Sequence, residues 1–369
     1  MNKFQGVRTT VENGVIKPIE KVESLSFHIA SDLEQMEIDP MFFIVEGLLP
    51  TGLSILASPP KFGKSWLCMM LSTAVSGGTS FLGFKTNKCG VLYLALEDSY
   101  ARLQDRMAKV LRGAKANNLL AMSIQCRDLG HGLIQQLEEH LHERPETKLI
   151  IIDTFAKIRS DCKRGESAYT QDYREAGILK QFADSHKICI LLVHHTKKMR
   201  DVGDIFANIS GTMGLTGASD TMIVLSKDDR MDEQTKLSIT GRDVDMNEYQ
   251  MQFDKEQCRW HILGKSEDIE QELAFEKYNN HPIVNTVRKL LQQEKGTWRG
   301  TASELIQASR YFQTPIYESA QTLGKTIAKL QEELFSNDRI LYKYIKNGTG
   351  SKIHEFSMQL ATVDSVDKY

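Results

Sequence analysis

The stretch that decides the fold reads Leu53-Ser54-Ile55-Leu56-Ala57-Ser58-Pro59-Pro60-Lys61-Phe62-Gly63-Lys64-Ser65-Trp66-Leu67. An apolar run of strand length leads into a Gly-Lys-Ser turn, and apolar residues at helical spacing follow the turn. This strand–loop–helix order is the context of a P-loop, in which backbone N–H groups and a helix N-terminus surround phosphate oxygens. We therefore predict a nucleotide-phosphate site, rather than a chance Gly-Lys-Ser before an unrelated helix.

The residue types of this loop predict its contacts. Lys64 is expected to reach the β- and γ-phosphates of the nucleotide, and the Ser65 hydroxyl is expected to bind Mg²⁺. The first glycine that is usual in a P-loop is replaced by Ser58, whose Cβ calls for a differently shaped opening turn. The predicted nucleotide-binding residues are Ser58, Pro59, Pro60, Lys61, Phe62, Gly63, Lys64, Ser65 and Trp66.

Composition limits the class of protein. A chain of 369 residues is long enough for two or three domains, and its 46 Lys plus Arg nearly balance its 48 Asp plus Glu. Contact with nucleic acid therefore depends on local patches rather than on an overall positive field. The six cysteines show no metal-ligand spacing, which favours free thiols in a reducing cytosol. Without a signal region or a run of membrane-spanning length, we expect a cytoplasmic protein with no membrane partner.

Strand and helix patterns alternate from residue 42 to about residue 264, which predicts an α/β core with a mostly parallel sheet covered on both faces. The predicted parallel strands are 53–56, 91–96, 123–126, 148–152, 188–193 and 221–225, and the predicted helices are 64–75, 101–111, 133–142 and 173–185. Three further strands, 235–240, 249–253 and 259–263, are expected to extend one edge in antiparallel orientation.

A second pattern follows His281-Pro282. Helices are predicted over 283–294, 301–308 and 317–334, and two strands (340–346 and 352–357) flank the turn Asn347-Gly348-Thr349-Gly350. This order is typical of a winged helix, an α+β fold. The predicted organisation is an N-terminal arm (1–41), a core (42–265), a polar linker (266–282), a winged-helix-like domain (283–358) and a tail (359–369). The arm, with a short helix over 25–36, is either a floppy extension or a segment that packs on a neighbouring subunit.

Two buried strands of the core end in carboxylates. Leu149-Ile150-Ile151-Ile152 is followed by Asp153, which fits a Walker B position and predicts a second Mg²⁺ ligand. The strand 91–96 is followed by Glu97, our candidate general base for activating the attacking water. Its alternative role is a helix N-cap, for which Asp98 and Ser99 are the better residues.

The strand 188–193 ends in His194-His195, followed by a basic loop. One of the two histidines is a candidate to contact the γ-phosphate, whereas zinc binding lacks a third ligand at suitable spacing. Lys197, Lys198 and Arg200 suit contact with DNA phosphates, although a solvated charge run explains them equally well. The basic residues after Asp153 share this ambiguity; they are Lys157, Arg159, Lys163 and Arg164.

Arg242 ends a predicted strand far along the chain from the P-loop. In a ring of subunits it could serve as an arginine finger for the γ-phosphate of a neighbour. A salt bridge with Asp243 or Asp245 is the alternative, and the residues alone slightly favour it.

Several segments together resemble the RecA-like ATPases of the plasmid RepA type, which are hexameric replicative helicases of plasmids, phages and mobile elements. They cover about 42–264 and are Val45-Glu46-Gly47-Leu48-Leu49-Pro50-Thr51-Gly52-Leu53, Pro60-Lys61-Phe62-Gly63-Lys64-Ser65, Tyr93-Leu94-Ala95-Leu96-Glu97-Asp98, Ile152-Asp153-Thr154, Val193-His194-His195-Thr196-Lys197, Gly214-Leu215-Thr216-Gly217-Ala218-Ser219-Asp220 and Gly241-Arg242-Asp243-Val244.

This resemblance implies a RecA-like core, ATP hydrolysis with Mg²⁺ at subunit interfaces, and single-stranded DNA in the central pore of a homo-oligomeric ring. It also implies that Glu97 is the catalytic glutamate, His195 the γ-phosphate sensor and Arg242 the finger acting in trans. The C-terminal segment lies outside the resemblance. Its Lys325 and Lys329 share one helix face and predict binding of duplex DNA, while docking of a primase or an initiator is almost as reasonable.

The leading functional hypothesis is therefore an ATP-driven helicase and translocase on single-stranded DNA. The alternative is an ATP-gated DNA-binding oligomer, such as a loader or a recombination ATPase, that does not unwind DNA. A small-molecule kinase ranks lower, because no acceptor-binding lid is apparent in the sequence.

Overall fold

The computed structural model describes residues 9–12, 15–18, 27–38, 40–162, 164–196, 204–209, 213–228, 232–346 and 352–359. The chain forms two compact units, Met1–Phe42 and Phe43–Tyr369. The first unit contains the antiparallel strands β1 (Thr9–Glu12) and β2 (Val15–Pro18) and the short helix α1 (Ala30–Gln35), none of whose residues is buried. This helix lies inside the predicted 25–36 range but is shorter.

The second unit begins with the α/β core. Its strands are β3 (Phe43–Val45), β4 (Leu49–Pro50), β5 (Gly52–Ser58), β6 (Gly90–Ala95), β7 (Leu120–Ser123), β8 (Thr147–Asp153), β9 (Cys189–His195), β10 (Thr221–Ser226), β11 (Gln234–Gly241), β12 (Asn247–Asp254) and β13 (Arg259–Lys265). Its helices are α2 (Lys64–Gly77), α3 (Tyr100–Leu111), α4 (Leu133–Glu143), α5 (Ala168–His186) and α6 (Met213–Ala218).

Nine of these strands form one mixed sheet in the order β13-β12-β11-β10-β5-β9-β8-β6-β7. The six strands from β10 to β7 are parallel, and β11, β12 and β13 extend the β10 edge in antiparallel orientation. The prediction of a mostly parallel sheet with antiparallel edge strands is therefore confirmed. Because β9 lies between β5 and β8, the P-loop strand and the strand that ends in Asp153 are not neighbours.

The sheet is buried on both faces because its central strands are apolar at nearly every position. All seven residues of β5 are buried, and successive side chains along the strand point to opposite faces of the sheet. Leu56 belongs to the core that α2 and α3 cover, whereas Ile55 belongs to the core that α4 and α5 cover. No helix among the described residues combines the length and the apolar character that crossing a membrane requires.

The rest of the second unit is smaller and has a hydrophobic core of its own. Its elements are α7 (Ser266–Asn279), α8 (Pro282–Gln293), β14 (Thr297–Gly300), α9 (Ala302–Tyr311), α10 (Ala320–Asp338), β15 (Ile340–Lys346) and β16 (Lys352–Met358). The three strands pair in the order β14-β16-β15, and all neighbours are antiparallel. Three helices and a strand pair occur as predicted, and the turn 347–350 lies outside the described residues.

Two predicted segments differ from the structure, and one strand of the structure was not predicted. The stretch 266–282, predicted as a polar linker, is mostly helix α7; only Ser266 and Tyr278 of this helix are buried, so it shows little apolar periodicity. The strand predicted at 123–126 is β7 at Leu120–Ser123, an edge strand whose half-buried residues give a weak pattern. Strand β14 around Trp298 was not predicted, because its four residues are recognisable only from their pairing with β16.

Candidate nucleotide-binding site

The carboxyl ends of four parallel strands meet at one edge of the sheet. Ser58 at the end of β5 is in register with His195 at the end of β9, and Asp153 at the end of β8 is in register with Ala95 of β6. A cleft of about 1350 Å³ opens at this edge. The predicted site residues that line it are Pro60, Lys61, Phe62, Gly63, Lys64, Ser65, Trp66, Glu97, Asp153 and His195.

The P-loop connects β5 to α2. Its two residues with positive φ are Lys61 (66°) and Gly63 (84°), whereas Ser58 is still part of the extended strand. The position of the usual first glycine therefore needs no left-handed backbone here, and a serine fits it without strain. Ser58 is fully buried, and its hydroxyl donates a hydrogen bond to the Pro59 carbonyl at 2.9 Å.

Lys64 begins α2 and extends back along the loop. Its Nζ donates to the Ser58 carbonyl (2.9 Å), to the Ser58 hydroxyl (2.9 Å) and to the Pro59 carbonyl (3.1 Å), and it lies 3.4 Å from His195 Nδ1. Burial lowers the pKa of Lys64 to about 8, and the charges of Asp153, Cys68 and Glu97 only partly oppose this. The serine that replaces the glycine thus adds a lysine contact that glycine could not make.

Asp153 is buried beside the start of α2. The Tyr93 hydroxyl donates to its Oδ2 at 3.0 Å, and Ser65 donates a second hydrogen bond. Burial raises the pKa of Asp153 above its usual value, although these hydrogen bonds and the charge of Lys64 act in the opposite direction. A hydroxyl and a carboxylate side by side are oxygen ligands of the kind that Mg²⁺ prefers, so Ser65 and Asp153 fit that ion. Among the described residues no three His, Cys, Asp or Glu side chains gather into a group that could hold a metal ion.

Glu97 follows β6 and points towards the end of β8. The Thr154 hydroxyl donates to its Oε1 at 3.2 Å, and Thr154 itself is 2 % exposed. The N-cap of α3 is Ser99, whose hydroxyl accepts from the Arg102 N–H, so Glu97 does not have the alternative N-cap role. Its carboxylate lines the cleft, where a general base must lie.

The two histidines of β9 point to opposite sides of the strand, as successive residues must. His195 lines the cleft next to Lys64, while the His194 ring packs edge-on against Phe155, 5.7 Å between centroids. Of the pair, only His195 can contact a nucleotide bound in the cleft. Lys197, Lys198 and Arg200 lie outside the described residues.

Arg242 lies at the other end of the sheet. Its Nη1 is 3.4 Å from Asp220 Oδ1, and its side chain is 61 % exposed. Asp220 directly precedes β10, whose first residue is in register with Ser54 near the start of β5. The P-loop follows the far end of that strand, about 13 Å further on at ~3.3 Å per residue. Arg242 therefore cannot reach the P-loop of its own chain, and its ionic partner is Asp220 rather than Asp243 or Asp245.

One wall of the cleft comes from residues that the sequence did not single out. Strands β12 and β13 contribute Phe253 and Trp260, and α3 contributes Arg106. Arg106 forms an ion pair with Asp98, and its guanidinium lies 5.6 Å from the centroid of the Trp66 ring. No short motif marks these side chains, because they reach the P-loop only through contacts between segments that are distant in the sequence.

The basic residues after β8 differ in their surroundings. Arg159 is held by two buried carboxylates of α5, with Nη2 2.6 Å from Asp172 Oδ1 and Nε 3.0 Å from Glu175 Oε2. Lys157 and Arg164 are exposed, and Lys163 lies outside the described residues. Lys325 and Lys329 are both exposed on α10, one turn apart.

The mostly parallel sheet and the cleft at its edge define a P-loop α/β core with a candidate nucleotide-phosphate site. Residues 20–201 match the family model described as an AAA domain, a range that includes Lys64, Glu97, Asp153 and His195. This match agrees with the predicted P-loop ATPase core, and the RepA type stays a prediction. No curated protein matches the chain.

The solved structures that are similar to part of the chain include the following two. The ATPase domain of G40P is 13% identical, with a TM-score of 0.47 over 58% of this chain and 85% of that one. A DnaB-like replicative helicase, described with its interactions with primase, is 12% identical, with a TM-score of 0.46 over 57% of each chain.

Proposed function

We propose that this protein hydrolyses ATP to move along single-stranded DNA and to separate the strands of a duplex, as a homo-oligomeric ring of the RepA type in the replication of a plasmid, phage or mobile element. The observation that carries the proposal is the division of the site. Lys64, Asp153, Glu97 and His195 surround one cleft, whereas Arg242 lies exposed at the opposite end of the sheet. A second subunit is needed to bring such an arginine to a γ-phosphate.

The predicted site residues that line the cleft have distinct roles in this mechanism. The loop N–H groups and Lys64 bind the phosphates, and Glu97, oriented by Thr154, accepts a proton from the attacking water. His195 lies where it can donate a hydrogen bond to the γ-phosphate. Ser65 and Asp153 would hold Mg²⁺, which supplies positive charge to the phosphates when bound.

DNA would be bound between subunits in the centre of the ring, where we place the loop that contains Lys197, Lys198 and Arg200. Hydrolysis at one interface would then shift one subunit relative to its neighbour, which would move the DNA strand. The near balance of acidic and basic residues agrees with a local rather than a global DNA contact.

The test compares ATPase activity and unwinding of a forked duplex for the wild type and for Lys64→Ala. For the wild type we expect single-stranded DNA to stimulate ATP hydrolysis and the forked duplex to be unwound. Lys64→Ala should neither hydrolyse ATP nor unwind the duplex. ATP-dependent DNA binding without strand displacement would instead favour a loader or recombination ATPase. Phosphoryl transfer to a small molecule without DNA would favour a kinase.

For the C-terminal elements we propose a winged-helix domain that binds duplex DNA through Lys325 and Lys329. Both side chains are exposed on α10, as a DNA-contacting helix requires. If both contact phosphates, Lys325→Ala with Lys329→Ala should reduce the salt dependence of duplex binding by about two ions. Unchanged binding, together with loss of primase or initiator binding, would favour the docking role.

A further inference from the structure

Gly63 is the point at which the P-loop becomes a helix. Its φ of 84° and ψ of 18° are left-handed, and it forms the N-cap of α2 without any side-chain cap. Its carbonyl accepts the first helical hydrogen bond, from the Leu67 N–H at 3.1 Å. The same carbonyl accepts a second hydrogen bond from outside the loop, because the Trp260 indole N–H donates to it at 3.2 Å.

Trp260 is held firmly on strand β13. It is 4 % exposed. Its ring packs against that of Phe253, the residue of β12 with which it pairs, at 5.1 Å between centroids. Its backbone N–H donates to Met70 Sδ on α2 at 3.2 Å. The indole also covers Gly63 so closely that a Cβ at that position would lie 3.0 Å from Trp260 Cζ2.

A peptide group is planar and trans, so its C=O and its N–H point in opposite directions. When Trp260 fixes the direction of the Gly63 carbonyl, it also fixes the direction of the Lys64 N–H on the other side of the same peptide plane. In a P-loop the backbone N–H groups at the start of the helix are the donors that bind phosphate oxygens.

We infer that Trp260 is a positioning residue for the nucleotide phosphates, which holds the Gly63–Lys64 peptide in its binding orientation through the indole hydrogen bond. The inference rests on the proposed nucleotide site and adds to it a residue that lies 197 positions from the glycine it holds. It also gives the antiparallel edge strands a role, since β13 carries the donor.

Two substitutions separate the hydrogen bond from the packing. Trp260→Phe keeps an aromatic ring and loses the donor, whereas Trp260→His loses the second ring and keeps a ring N–H at the place of the indole N–H. The matched control is Trp298→Phe, since Trp298 belongs to the separate C-terminal core. Affinities for Mg-ATP and Mg-ADP would be measured by calorimetry, and the melting temperature of each variant without nucleotide by scanning calorimetry.

We expect Trp260→Phe to lower the affinity for both nucleotides by about three- to tenfold, which is the value of one neutral hydrogen bond. Trp298→Phe should leave both affinities unchanged. Trp260→His should bind nucleotide better than Trp260→Phe even though its melting temperature is lower, because it leaves a cavity in the core.

Wild-type affinity in Trp260→Phe, or affinities that follow the melting temperatures of the variants, would overturn the inference and leave Trp260 with a packing role alone. If the wild type itself binds neither nucleotide, the proposed nucleotide site fails instead.

Discussion

At the scale of single residues, Lys64 shows a conflict between stability and function. Burial lowers its pKa to about 8 from the usual 10.5, so the folded protein holds this proton less tightly than the unfolded chain does. Below pH 8 the charged lysine therefore destabilises the fold, and this cost disappears as the pH rises from 8 to 10.5. A bound phosphate would offset this cost, because its negative charge stabilises the charged lysine.

We predict that Lys64→Met, which keeps the length of the side chain and removes its charge, raises the free energy of unfolding at pH 7 by on the order of 2 kcal/mol while nucleotide binding is lost. The gain should shrink between pH 8 and 10.5. Urea unfolding at pH 7, 8 and 9.5 without nucleotide measures this gain in stability. Lys61→Met is the control, because the same substitution there removes an exposed charge. A pH-independent difference would mean that burial of the charge is not its cause.

Thr154 is the residue through which Glu97 is oriented. Its hydroxyl donates to the Glu97 carboxylate from a buried position at the end of β8. Thr154→Val keeps the shape and removes the donor, so we predict that kcat for ATP falls about tenfold while nucleotide affinity stays the same. Steady-state ATPase assays and calorimetry measure the two quantities.

The control for this prediction is Thr147→Val, the same substitution at the opposite end of β8, where the hydroxyl lies 3.2 Å from His140 Nε2. It should leave kcat unchanged. If Thr154→Val retains full kcat while Glu97→Gln is inactive, the hydrogen bond does not position the carboxylate.

At the scale of elements, the turn after β8 is tied to α5. Arg159 joins Asp172 and Glu175, and Glu175 also accepts hydrogen bonds from the N–H and hydroxyl of Ser160. Because both carboxylates are buried, Arg159→Ala should lower the free energy of unfolding by about 2–4 kcal/mol. Lys157→Ala, at an exposed lysine of the same turn, should change it by less than about 0.5 kcal/mol.

Urea unfolding measures these stabilities, and binding to a fluorescent single-stranded oligonucleotide measures the competing role. A stable Arg159→Ala variant with weakened DNA binding would show that Arg159 is a DNA contact, and that its ion pairs contribute little to the fold.

The elements that the sequence predicted well are those whose signal is contiguous. β5, the P-loop and α2 follow one another within 26 residues. The strand and the buried side of the helix are mostly apolar, and the loop has a glycine where the backbone is left-handed. The exposed helix α7 and the edge strand β7 carry weak periodicity, so local pattern misplaced them. Strand β14 depends on its pairing with β16, which no local pattern reveals.

The same distinction applies to the site. Asp153, Glu97 and His195 were predicted because each ends an apolar strand, and parallel strands bring such ends to one edge. Trp260 and Arg106 were missed, since their place in the cleft depends on contacts between distant segments. The partner of Arg242 was missed for the same reason, because Asp220 reaches it across β10 and β11.

At the scale of the whole molecule, β5 connects the P-loop to the end of the sheet where Arg242 lies. Asp220 accepts from the Leu53 N–H at 2.9 Å, from Lys180 Nζ at 2.8 Å, and lies 3.4 Å from Arg242. Gly52 leaves room for it, since a Cβ there would lie 2.5 Å from Asp220 Oδ2. The exposed arginine therefore lies near one end of β5, and the P-loop follows the opposite end. In the proposed ring, each subunit would present its arginine to one neighbour and its nucleotide site to the second neighbour.

This arrangement predicts complementation between two inactive variants. Lys64→Ala lacks the P-loop lysine and Arg242→Ala lacks the finger, so each alone should have no ATPase activity, although Arg242→Ala still binds nucleotide. If both are mixed in equal amounts and the subunits exchange, about a quarter of the interfaces pair an intact P-loop with an intact arginine, and activity should return to roughly that fraction. Mixing each variant with itself is the control, and mass spectrometry confirms that mixed oligomers form. Mixed oligomers without activity would refute a finger acting in trans, as would an active Arg242→Ala protein on its own.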